Sequence, residues 1–279
     1  MATTIPEASL LGLPTELRLR IYDYVLQADI NCPIVVDIVH SSDSNGTQAA
    51  LIPNAEAAFS SKIPWLNLRT TCRRISHELQ SYVQDSSCQK NDFNRTYVLD
   101  LEVSRHYDRG PATRTVTWRS IPCAPAQARY IIMNVITRSG PGPWTDGGSA
   151  SLARAVYQVL NHAVHMGPRI FRKSLLPHHM KLQDLIINID IGVYCSAPIR
   201  GCNTNPEING SLFQSGWMQI SRTGFWSGYL ERTRLKTNGE EEVVIPTEWQ
   251  MSPALPGYWR GLGFQWGITG LQCANYFTL

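Results

Sequence analysis

The chain has 279 residues and 31.3 kDa, room for one large domain or two modest ones, and its 43% hydrophobic content supplies a core, which sets aside a disordered chain. Its 25 basic against 22 acidic residues leave a formal charge of +3, too slight a bias to point to nucleic acid or an acidic membrane surface as a partner. No apolar run approaches the ~20 residues that span a bilayer, and MATTIPEASL has neither a basic start nor an apolar signal core, so the expected location is the cytoplasm or nucleus.

Residues 10 to 26, LLGLPTELRLRIYDYVL, predict a helix with two apolar stripes. At about 100° per residue, Leu10, Leu13, Leu17, Ile21 and Tyr24 fall along one line while Leu19, Tyr22 and Leu26 gather on another. Pro14 suits the first turn, where its missing N–H costs nothing, and Glu16 adds a favourable charge at the positive end of the helix. Two stripes need two covers: the domain's own core, and either a second layer of that core or another protein.

Pro33 to His40, PIVVDIVH, is a β-branched run of strand length, followed by the polar loop SSDSNGTQ. Trp65 to Val83 predicts a second helix, with Leu68, Cys72, Ile75, Leu79 and Tyr82 on one narrow stripe. Its polar side, Arg69, Arg73, Arg74, His77 and Glu78, reads as a solvated face rather than a binding patch. After the polar linker QDSSCQKND the period changes from helical to strand-like, which places a domain boundary near residue 93.

Asn94 to Val103, Ala128 to Thr137 and Leu182 to Ile191 read as strands, the last two apolar enough to be central in a sheet. Between those two, Ser149 to Met166 forms an amphipathic helix, marked by Leu152, Val156, Val159, Leu160 and Ala163, so a strand, helix, strand unit is expected. Gly216 to Leu235 and Glu240 to Pro246, separated by Lys236-Thr237-Asn238-Gly239, suggest an antiparallel hairpin. The tail, with Trp259, Phe264, Trp266 and Phe277 among glycines, reads as large side chains laid over a sheet.

A search for chemistry returns little. The seven cysteines are scattered without a close CxxC pair, and read as small buried hydrophobes or free thiols. The loop GPGPWTDGGS lacks both the GK[ST] ending of a P-loop and the GxGxxG spacing. His162 and His165 lie three apart, and His178 and His179 are adjacent, but neither pair has further zinc ligands at suitable spacing, and Cys195 and Cys202 do not supply them. Neither GxSxG nor HExxH is present. The expectation is a protein without catalytic residues, cofactor or metal.

The segment LPTELRLRIYDYVL resembles the opening of the F-box, through Leu13, Pro14, Glu16, Leu17, Ile21, Tyr24 and Val25. LNLRTTCRRISHEL resembles the later F-box segment in which Cys-Arg-Arg follows a leucine-rich turn, through Leu66, Leu68, Cys72, Arg73 and Arg74. The pair is similar to F-box-like proteins of filamentous fungi and covers roughly residues 9 to 83. It departs from the usual pattern in the intervening residues 27 to 64 and in lacking the late tryptophan after Cys-Arg-Arg, Ile75 standing near its place.

The resemblance implies an F-box-like helical N-terminal module with an inserted strand over residues 1–92; with the strand and helix pattern beyond it, the expected chain is α+β, its residues 93–279 forming a mixed α/β sheet domain that contains a β-α-β unit and a C-terminal hairpin. It implies a partner, the Skp-type adaptor of a cullin-RING ubiquitin ligase, and an unknown protein substrate. Leu13, Pro14, Leu17 and Ile21 carry over as adaptor-binding anchors, since a docked helix needs apolar anchors at this spacing. The second stripe would then pack on the inserted strand and the 65 to 83 helix, although the stripes could be exchanged or both buried. The competing expectation is a stand-alone protein-interaction or scaffold domain with no ligase attachment.

Overall fold

The computed structural model describes residues 9–30, 32–37, 63–84, 92–105, 113–139, 148–168, 180–191, 206–221, 226, 228–237 and 242–247. Over these the chain is α+β. Helix α1 (Thr15–Gln27) is followed by strand β1 (Cys32–Asp37), helices α2 (Pro64–Thr71) and α3 (Arg73–Gln84), and strands β2 (Thr96–Arg105), β3 (Thr113–Ser120) and β4 (Tyr130–Ser139). Then come α4 (Gly148–Met166), β5 (Leu182–Ile191), α5 (Pro206–Ser221), β6 (Leu230–Thr237) and β7 (Val243–Pro246).

The strands form one seven-stranded sheet in the order β1-β3-β2-β4-β5-β6-β7. Its centre, β2-β4-β5-β6, is parallel, and β3, β1 and β7 close the edges antiparallel. The β4-α4-β5 unit has the parallel strands and intervening helix that the sequence predicts. The hairpin is β6-β7, but its first arm starts at Leu230, because residues 216 to 221, read as strand, finish helix α5. Strand β3, TRTVTWRS, which lies between β1 and β2, alternates polar with apolar too weakly to stand out in the sequence.

Alternation along the strands divides the sheet into two faces. One face carries Leu99, Met133, Ile187 and Leu235 in one row and Leu101, Val135 and Ile189 in the next, all buried. Helix α5 covers this face, its Trp217 indole N–H donating to Thr233 Oγ1 at 3.3 Å. Tyr157 of α4 meets Trp226, which stacks on Trp217 at 5.1 Å between ring centroids.

The opposite face is half-buried and carries a polar row: Arg119 donates to Asp100 at 2.6 Å, Asn134 to Asp100 at 2.9 Å and Asn188 to Asn134 at 2.9 Å. Each member lies beside the next in register on β2, β4 and β5, so the row joins the central parallel strands. Buried Asp184 accepts from Arg232 and Arg234 on β6.

The N-terminal helices are tied to the same sheet. Ile30 N–H donates to Arg119 O at 2.9 Å, the Trp65 indole to Ile121 O, and Arg95 to Val83 O at 3.3 Å. With β1 paired along β3, the first 92 residues supply one strand of the sheet that the remainder builds. Tyr22, Leu26, Trp65, Leu79 and the sheet residues above belong to one continuous core.

Candidate partner-binding site

The chain reaches α1 through a 3-10 turn, Leu10–Gly12, and Pro14 occupies the cap position immediately before the first helical residue, one place ahead of its expected position inside the helix. Its φ of −52° leads directly into helical geometry, and its carbonyl accepts the N–H groups of Leu17 and Arg18, both at 3.1 Å.

The two stripes separate cleanly. Tyr22 and Leu26 are 0% and 1% exposed, and Leu19 packs partly against the same core. On the opposite side Leu13 is 36%, Leu17 45% and Tyr24 80% exposed. Of the four residues carried over from the resemblance, Leu13, Pro14 and Leu17 lie open on one surface and Ile21 is half-buried at its margin. Leu10, at the head of the same stripe, is instead drawn partly into the core.

A buried polar hub fixes the orientation of this helix. Arg18, 5% exposed, donates from Nε to Glu78 Oε2 at 2.9 Å and from Nη2 to Glu78 Oε1 at 3.2 Å. The same guanidinium reaches Leu13 O and Thr15 Oγ1, so one side chain pins both the first turn and the backbone just before Pro14. Tyr22 OH donates to Glu78 at 3.0 Å and Arg74 Nε at 3.2 Å, giving that carboxylate donors from both helices. Farther along, Tyr82 OH donates to Asp23 and its ring lies 6.3 Å from that of Tyr22. Successive turns of α1 meet successive turns of α3 in the same order.

The charges follow from this geometry. Partial burial pulls the Glu78 carboxyl upward, but hydrogen bonds from Arg18, Tyr22 and Arg74 outweigh it and hold the group below its ordinary value. Burial, reinforced by the Glu78 carboxylate, pushes Tyr22 up to about 12, so its hydroxyl stays a donor at neutral pH. Sequence reasoning placed Glu78 on a solvated face and gave Arg18 no role. The two residues are sixty positions apart, so no local periodicity pairs them.

Helices α2 and α3 occupy the span expected to be one helix. The apolar stripe holds, with Trp65, Ile75, Leu79 and Val83 buried and Leu68, Cys72 and Tyr82 half-buried, but Cys72 is extended at φ −158°, ψ 160°. From there it starts α3, its carbonyl accepting Ser76 N–H at 3.0 Å and its Sγ accepting Ile75 N–H at 3.4 Å.

The Cys123 thiol is pushed up to about 12 by burial, and His165 is buried with its ring 4.9 Å from that of Tyr229. Among the described residues no group of three His, Cys, Asp or Glu side chains is placed to hold a metal, and no helix is long and apolar enough to cross a membrane. The His162 side chain, His178, His179, Cys195, Cys202, residues 140–147 of the glycine loop and the aromatic tail lie outside the described residues.

Comparison of the chain with known protein families, with curated proteins and with solved structures finds no match.

Proposed function

We propose that this protein is a non-enzymatic adaptor of F-box-like type, which uses α1 to hold the Skp-type subunit of a cullin-RING ubiquitin ligase and its sheet domain to recruit the protein to be ubiquitinated. One observation supports the reading above the others: an apolar stripe of Leu13, Leu17 and Tyr24, flanked by Pro14 and Ile21, stays outside the core on a helix whose opposite side buries Arg18, Tyr22 and Leu26. Apolar side chains on a rigidly held helix dock without the cost of ordering its backbone, which favours helix-in-groove recognition. Catalysis, on this reading, belongs to the ligase.

Strand β1 favours a second reading, a stand-alone interaction or scaffold domain without ligase attachment. It takes the chain between the two F-box-like segments out to the sheet edge, where a compact F-box has a short helical connection.

Co-purification from the cells that make the protein separates the two. Leu17→Asp and Tyr24→Asp alter exposed side chains and leave melting temperature nearly unchanged. On the adaptor reading each lowers capture of the Skp-type subunit by about tenfold or more, as loss of a central apolar anchor does. If the wild-type protein brings down no such subunit, the scaffold reading replaces it.

A further inference from the structure

At the break between α2 and α3 the surface opens into a shallow depression of about 450 Å³, bordered by Arg69, Thr70, Arg73, Ser76, His77 and Gln80 around Cys72. None of these residues is acidic. Arg74, next in sequence, is neutralised by Glu78, whereas Arg73 and His77 have no carboxylate partner among the described residues and Arg69 has only the Ser76 hydroxyl, at 3.3 Å. Among the described residues, two guanidinium groups thus border one open space without a counter-ion. Neighbouring cations left uncompensated at one depression are a local conflict of the kind that marks a binding surface.

We propose that this depression binds a phosphoryl group carried by a segment of a partner protein. An arginine fork presents paired N–H donors that match phosphate oxygens, and two forks supply both charge and direction. The Ser76 hydroxyl and Gln80 amide add donors beside them. The depression is open to solvent, so an extended segment reaches it without the helices moving. A nucleic-acid backbone fits less well, because it needs a track of cations and the chain as a whole carries only +3. The site lies on α2 and α3 and does not depend on what α1 binds.

An amide NMR titration of the full chain with the tripeptide Gly-phosphoserine-Gly tests this, with Gly-Ser-Gly and a short DNA duplex alongside. The expected result is a set of shifts confined to Arg69–Gln80, seen with the phosphorylated peptide alone and weakened about fivefold or more in the double variant Arg69→Gln, Arg73→Gln. Arg20→Gln, an exposed arginine on α1, leaves binding unchanged. The double variant should also melt close to wild type, because both side chains are exposed. Absence of shifts, equal shifts with the unphosphorylated peptide or the duplex, indifference to the double substitution, or a marked fall in its melting temperature would each overturn the assignment.

Discussion

Arg18 places a guanidinium, 5% exposed, between α1 and α3, where water no longer solvates it and the Glu78 carboxylate takes the place of that water. Glu78→Ala leaves that cation enclosed without its carboxylate, with only the neutral acceptors Leu13 O and Thr15 Oγ1. Because Glu78 keeps 25% side-chain exposure, the cost in urea denaturation should be about 2 kcal/mol, below the 3–5 of a fully enclosed pair. Removing both charges with Arg18→Met and Glu78→Leu should recover much of the loss, since the desolvation of two ions disappears with them. The same pair sets a pH dependence. Glu78 is held below its ordinary value when folded, so its contribution is complete above the unfolded carboxyl value of about 4.3 and fades as pH falls through the lower folded one. Melting temperature should therefore drop on acidification below about pH 4, and Glu78→Gln should flatten that drop. A residual slope should remain from Asp184, where burial is outweighed by Arg232 and Arg234, which hold its carboxyl below the usual range.

At the ends of helices the backbone decides matters that side-chain pattern leaves open. Gly167 closes α4 at φ +67° with its N–H on Ala163 O at 2.9 Å, and an added Cβ would lie 3.0 Å from the Pro125 ring. Gly228 has φ +82° but open space around the missing Cβ. Both pay the left-handed penalty of about 1–2 kcal/mol on conversion to alanine, while only Gly167→Ala also meets a neighbour, so calorimetry should find it the more damaging of the two. The α2–α3 break shows why such features escape a reading of periodicity. Ile75 and Leu79 continue the stripe of Trp65 and Leu68 across Cys72, so the apolar pattern never falters. What stops α2 is local competition: the Thr70 and Thr71 hydroxyls each donate at 2.7 Å to the carbonyl three residues back, and Cys72 then turns extended. Helix α5 was hidden differently, since its aromatic Phe213 and Trp217 and the interior Gly216 read equally well as strand. The exposed stripe of α1 was legible because it needs only spacing, whereas the choice between its two faces needed the distant Glu78.

For the molecule as a whole, the central strands could be read because parallel strands covered by helices are continuous apolar runs, as in ARYIIMNVIT and LQDLIINIDI. Which strands lie side by side could not, because pairing of β1 with β3 and of β6 with β5 joins segments that share no pattern. The consequence concerns cooperativity. The sequence suggests a division at residue 93, yet β1 completes one edge of the sheet, Trp65 bonds to Ile121 O, and Tyr22 and Leu79 share a core with Leu99 and Trp118. The shared edge pairing and the shared core couple the α1–α3 helices to the strands, so hydrogen exchange across a urea series should bring protected amides of α3 and of β4 onto one common unfolding free energy. Trp65→Phe keeps most of the apolar bulk but strands the Ile121 carbonyl, at a cost of about 1 kcal/mol. If helices and sheet unfold together, that loss appears equally at α3 and at β4. If instead the loss registers in α3 alone, and β4 keeps its wild-type protection, the N-terminal helices open by themselves and the division near residue 93 is a thermodynamic boundary.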